Sequence, residues 1–142
     1  MPYEYLEHEA DIGLRAWDRT LEKAFAAGGK ALFDIMVDIK KVKKASSVDI
    51  SCEARDIPAL FVEWLNKLLT EADIKKMVFK DFKIRSIEPF GYDLYRLKGV
   101  ASGEKLDPKR HMIKTEAKAA TYFGLKYEFK DGNHYLQCVV DV

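Results

Sequence analysis

The 142-residue chain lacks most of the marks by which a function is read at sight. Its two cysteines, Cys52 and Cys138, form no CxxC pair and have no Cys/His ligand spacing, so no zinc site is written in it. Each lies in an alternating apolar run and reads as a buried free thiol, with a disulfide left open. No apolar run approaches the roughly 18 residues of a membrane helix. The opening Met1-Pro2-Tyr3-Glu4-Tyr5 is acidic and has no apolar signal segment, which implies a cytoplasmic protein without a membrane role. An excess of one charge is missing too: the net charge is +1, where a chain that binds nucleic acid alone usually carries a clear basic surplus, with a local basic patch left open. A role in RNA metabolism would then run through a protein partner. There is no phosphate-binding GxxxxGKS/T loop, no GxGxxG, no GxSxG and no HExxH. Internal repeats and low-complexity segments are also absent.

What is present is a folded domain. Apolar residues make up 48% and charged residues 33%, a balance that excludes a disordered chain. A chain of this length buries roughly two-thirds of its unfolded surface and needs no disulfide to fold. We expect one domain over 1–142.

Periodicity assigns the elements. Tyr3 to Leu6 reads as a strand, and so does 12–17, where Ile12, Leu14 and Ala16 alternate with Gly13, Arg15 and Trp17. Thr20 caps a helix over about 20–37, in which Leu21, Ala24, Phe25, Ala31, Leu32, Ile35 and Met36 recur at helical spacing. Gly28-Gly29 costs that helix about 1 kcal/mol per glycine relative to alanine, so close packing is expected there. Val48 to Ala54 alternates as a half-buried strand. Asp56 and Pro58 open a second helix whose stripe runs from Leu60 through Trp64 and Leu68 to Ala72.

From Met77 onward the pattern is extended: 78–79, 83–87, 92–97, 114–121, 125–129 and 135–142. Turns fall at Pro89-Phe90-Gly91 and Asp131-Gly132-Asn133, and a loop at Asp107-Pro108. Lys40, Lys41, Lys43 and Lys44 read as a solvated loop. The order points to α+β: mainly antiparallel β-sheets packed with two α-helices.

Chemistry-bearing residues are few. His8, Glu9 and Asp11 lie on a polar connection at a strand entry, where a carboxylate can face a hard cation or simply cap the backbone. Asp141 is a charge in the apolar run 138–142. It shares a face with Val139, and on a core-facing position it would need a cationic partner, a helix N-terminus or a metal; the other reading is a frayed, solvated end. Val142 places a main-chain or terminal oxygen beside it. His8, His111 and His134 lack ligand spacing and read as surface or hydrogen-bonded histidines, His134 exposed beside a hairpin turn.

Over the whole chain these segments resemble the archease family. The carriers are His8-Glu9-Ala10-Asp11 (with Glu9 where the family usually has Thr), Thr20 to Phe25, Ala31 to Met36, Trp64 to Leu69, Gly103-Glu104 with Asp107 and His111, Lys118 to Leu125, and the closing Val140-Asp141-Val142. The resemblance implies a non-catalytic helper of tRNA splicing that activates an RtcB-type GTP-dependent RNA ligase, promoting its guanylylation and multiple turnover, with tRNA met indirectly. It implies metal ligands at Asp11, Asp141 and Val142, with Ca²⁺ as the metal, no catalytic residue and no nucleotide cofactor. Glu9 or His8 would be an additional ligand or only alter the loop. Two other functions stay open: a chaperone of a tRNA cytosine methyltransferase, and a metal-dependent hydrolase using Asp11 and Asp141, for which His8 is the only base near in sequence.

Overall fold

The computed structural model describes residues 2–7 and 11–142, the side chain of Glu7 excepted. Strands β1 (Tyr3–Glu7) and β2 (Ile12–Asp18) precede helix α1 (Leu21–Met36) and a 3₁₀ turn at Ile39–Lys41. Strand β3 (Ser46–Ala54), helix α2 (Ile57–Lys75) and the long hairpin β4 (Met77–Phe90) and β5 (Leu94–Lys105) follow. A single-turn helix α3 (Pro108–His111) and the hairpin β6 (Ala119–Lys130) and β7 (Asn133–Asp141) complete it. Two antiparallel sheets result, one ordered β1-β2-β7-β6 and the other β3-β5-β4. The fold is α+β, as the element order indicates.

Each helix bridges the two sheets. Helix α1 packs on β2 and β4, and α2 on β6 and β3. That position explains why α1 is apolar well beyond one stripe, with Ala24, Phe25, Ala27, Ala31, Leu32, Phe33 and Ile35 all buried. The Thr20 hydroxyl accepts from the Lys23 N–H, and the Asp56 carboxylate accepts from the Ala59 N–H, so both helices start at their expected caps. The glycine pair in α1 is the seam between the helices: a Cβ on Gly28 would lie 2.3 Å from the Phe61 ring, and one on Gly29 2.8 Å from the Phe82 ring. Trp64 closes the seam by donating its indole N–H to the Phe25 carbonyl at 2.9 Å.

Several element boundaries differ from the periodicity. The pieces expected at 78–79 and 83–87 are one strand, β4, interrupted by register shifts at Phe79/Asp81 and Ile84/Ser86 that break the alternation. Its partner β5 runs on through Gly99 and Gly103, where a Cβ would meet the Lys83 and Val78 carbonyls, so these glycines permit a close strand approach. The turn lies at 91–93, two residues later than expected, with Gly91 and Asp93 both at positive φ. The span 114–118 is not strand. It crosses the end of α1, where the Lys114 and Thr115 N–H groups satisfy the Met36 and Ile35 carbonyls that a helix end leaves unpaired. Cys52 and Cys138 are free thiols; Cys138 is buried, whereas Cys52 is only half-buried.

Candidate functional site

Strand β2 pairs antiparallel with β7, with Ile12 opposite Val140, Leu14 opposite Cys138 and Ala16 opposite Leu136. Asp141 is the last residue of β7, and Asp11 immediately precedes β2, so this register sets the two at neighbouring strand ends. The sheet brings together two acids separated by almost the whole chain. Alternation fixes their face: Leu14, Ala16, Leu136, Cys138 and Val140 belong to the core cluster, whereas Asp141 shares its face with Val139, Gln137 and Tyr135. Val139 is buried but stands outside that cluster, so the core-facing reading of Asp141 is corrected: Asp141, half-buried, lies on the side of the sheet away from the main core. Val142 turns the other way and packs against the core.

The nearest arginine on that face is already engaged. Arg15 donates to Gln137 Oε1 at 2.8 and 3.1 Å and to Glu4 Oε1 at 3.0 Å. Among the described residues, neither the Asp11 nor the Asp141 carboxylate has a hydrogen-bond donor or an ion-pair partner. Like charges on adjacent strands repel, and the described residues supply nothing there to offset them. His8 and Glu9 fall outside the described residues. Among the described residues no group of three or more His, Cys, Asp and Glu side chains gathers as a metal cluster. The donor set is nevertheless of the kind a hard cation takes: two carboxylates and the Val142 main-chain oxygen, all oxygen.

Two clamps hold this end of the sheet. The Asn66 amide on α2 both donates to and accepts from the Ala120 backbone, at 2.9 and 2.8 Å, which fixes the start of β6. Beside it the Lys118 N–H donates to the Asp141 carbonyl at 2.8 Å, and Ala119 lies opposite Asp141. Lys118 ends the segment that straps α1, so the strap reaches from the helix end to the acidic pair.

The other end of that strap is a buried polar knot without a role in the sequence reading. His111 is fully buried. Its Nδ1 accepts from the Asp107 N–H at 2.9 Å, which leaves the proton on Nε2 to donate to Glu104 Oε2 at 2.8 Å. Glu104 also accepts from the Arg110 guanidinium at 2.6 Å and the Lys43 N–H at 2.7 Å. The Arg110 hydrogen bond, then those from His111 and Lys43, bring its carboxyl down to about 2. Gly103-Glu104, Asp107 and His111 carried the family resemblance, but no spacing rule reveals that they close on one another. His134, expected to be exposed, is half-buried; its Nδ1 lies 2.7 Å from the Tyr127 hydroxyl.

The chain matches the model of the archease protein family over residues 3–142. It is 43% identical over 141 residues to the archease of Pyrococcus furiosus, covering 99% of this chain and 98% of that one. It is 37% identical over 142 residues to the archease of Methanopyrus kandleri, covering both completely. Among solved structures it resembles a Methanobacterium thermoautotrophicum protein at a TM-score of 0.85 and 27% identity, with 99% of each chain covered. A Thermotoga maritima archease, described as a possible chaperone, shares the fold at a TM-score of 0.54 and 17% identity, with 96% of this chain and 94% of that one covered. A whole-length family match, relatives well above 30% identity and a shared fold agree: this chain belongs to the archease family.

Proposed function

We propose that this protein is a non-catalytic activator of an RtcB-type GTP-dependent RNA ligase in tRNA splicing, acting through a calcium-binding acidic end made by Asp11, Asp141 and the Val142 main-chain oxygen. The observation that carries the reading is the Asp11 and Asp141 pair, set on adjacent strand ends with no partner among the described residues. A structural role would have supplied a cation or N–H donors, as it does for Glu104. Bound calcium would offset the repulsion between the two strand ends. Family membership supports the ligase as partner.

The acids sit on an open sheet face. The apolar groove of about 670 Å³ between α2 and the strap is lined by Phe33, Leu69, Met77 and Ile113, and neither acid lines it. An open acidic end suits approach to another protein's metal-bearing pocket, and charge would steer the encounter in a salt-dependent way. A hydrolase needs a base within reach of the same acids. His134 is seven residues from Asp141 along β7, about 23 Å away at strand rise, and both ring nitrogens of His111 are engaged.

The deciding experiment is multiple-turnover ligation with limiting ligase, with and without this protein. The wild type should stimulate guanylylation and turnover, and Asp141→Asn should abolish the stimulation while keeping side-chain size. Equal stimulation by the Asn variant would show that the acidic end is not the working surface.

A second reading, a chaperone of a tRNA cytosine methyltransferase, is favoured by the exposed Tyr122, Phe123 and Phe129 along β6. Suppression of methyltransferase aggregation, lost in a Phe123→Ser/Phe129→Ser variant but kept in Asp141→Asn, would select it.

A further inference from the structure

The lysines at 40–44 read from sequence as a solvated loop, but the fold does not leave them alone. Helix α3 docks on the 3₁₀ turn: the Arg110 guanidinium donates to the Lys41 carbonyl at 3.0 Å, and the Lys41 ammonium lies 3.0 Å from the Met112 sulfur. Glu104 binds both segments at once, through the Lys43 N–H and the Arg110 side chain. Buried Ile39 and Val42 anchor the turn from below. Lys40, Lys41, Lys43, Lys44, Lys109 and Arg110, from segments more than sixty residues apart in sequence, therefore share one face.

The acids on this face are consumed locally. Asp38 and Asp107 accept the backbone N–H groups of Lys40 and Lys109, Glu104 holds the knot, and Asp81 pairs with Lys44 at 3.3 Å. Among the described residues no carboxylate lies within 4 Å of the Lys40, Lys41, Lys43 or Lys109 ammonium. Six cations against four carboxylates leave the face with two positive charges in excess, while the remaining 18 cations and 19 acids leave the rest of the chain at −1. The molecule's positive surplus is concentrated here.

We propose that this lysine face is a docking track for the phosphate backbone of double-helical RNA. Protein-binding surfaces are depleted in lysine and enriched in aromatic residues, methionine and arginine; this face is lysine-rich, and the exposed Met112 on it lies against the Lys41 ammonium. Its one arginine is committed to Glu104 and the Lys41 carbonyl, and the exposed aromatics lie elsewhere, at residues 5, 90, 92, 122, 123 and 129. Without a stacking platform or a fork of free donors it has nothing to read bases with. Exposed flexible ammonium groups serve as point charges for phosphates. The contact is therefore sequence-independent and strongest on a duplex, where charge density is high.

The test is fluorescence anisotropy of a labelled 20-base-pair RNA duplex titrated with the isolated protein across a range of low salt. Neither ligase nor calcium is added, so the result stands apart from the ligase reading. Four lysines on four phosphates give a slope of log K against log[salt] of about −3 to −4. Changing Lys40, Lys41, Lys43 and Lys109 together to Gln should weaken binding at least tenfold and flatten the slope, whereas the matching change to Arg should keep both. Circular dichroism checks that each variant is folded. The proposal is overturned if the wild type does not bind at the lowest salt, or if the Gln variant binds as the wild type does. It is also overturned if polyglutamate of equal charge binds more tightly than the duplex, since the face would then suit an acidic protein.

Discussion

Two groups of acids stand at opposite ends of one strap, and the protein treats them in opposite ways. Glu104 is met on every side, by Arg110, His111 and the Lys43 N–H. Asp11 and Asp141 are brought side by side by the pairing of β2 with β7 and are met by no donor among the described residues. A carboxylate that holds a fold together is surrounded by what stabilises its charge, because an unmet charge costs free energy. A carboxylate kept available for something outside the chain is left unmet. Both groups fall on motifs that carry the family resemblance, so sequence alone does not separate acids that are met from acids that are not; their surroundings do.

Calcium offers the largest break in this comparison. At about 100 times its dissociation constant it should stabilise the wild type by about 2.7 kcal/mol, a Tm rise on the order of 10 °C for a chain of this size. Asp11→Ala and Asp141→Ala should each remove most of that rise and weaken calcium binding at least tenfold by calorimetric titration. Stability without calcium should not fall in either variant, since each removes one of two repelling charges. Full calcium affinity in both would show that these acids are not its ligands.

The knot should behave in the reverse way. His111→Ala strips the Asp107 N–H and Glu104 of a partner in a fully covered position. Each hydrogen bond lost at these part-buried partners costs about 0.5–1.5 kcal/mol, so the denaturant midpoint should fall while the calcium affinity changes less than about threefold. A large loss of calcium affinity in this variant would mean that the strap, through Lys118, positions Asp141 rather than merely covering the end of α1.

The sequence makes some of this arrangement legible and hides the rest. Helix α2 and strand β2 are read correctly because their apolar spacing reports burial on one face. The caps Thr20 and Asp56 are visible because capping is a contact over three residues. The β4–β5 hairpin is misread where bulges at Phe79/Asp81 and Ile84/Ser86 shift the alternation, and where the strand read at 92–97 runs on to Lys105 through Gly99 and Gly103, which allow strands to approach. The strap at 114–118, read as extended, turns its Lys114 and Thr115 N–H groups to a helix end, a long-range choice that local pattern does not carry. For the site, the resemblance names Asp11 and Asp141. Only the β2–β7 register shows that they stand at neighbouring strand ends.

The smallest expected effect tests the Glu104 side alone. Its carboxyl is lowered from an ordinary 4.5 to about 2 in the folded protein, so between those values the unfolded chain binds more protons than the folded one. The stabilisation from Glu104 is therefore complete above about pH 4.5 and is lost as the pH falls toward about 2. In urea titrations at a series of pH values, the gap in midpoint between wild type and Glu104→Gln should be constant at neutral pH and narrow through that window. The Arg110 hydrogen bond is the largest cause of the lowering and the His111 bond the second. Arg110→Ala should thus remove more of the acid dependence than His111→Gln does. A gap that stays constant down to pH 2 would mean that the Glu104 charge contributes nothing and the knot holds by shape and neutral hydrogen bonds. The contrast with the unmet pair at Asp11 and Asp141 would then rest on packing, not on charge.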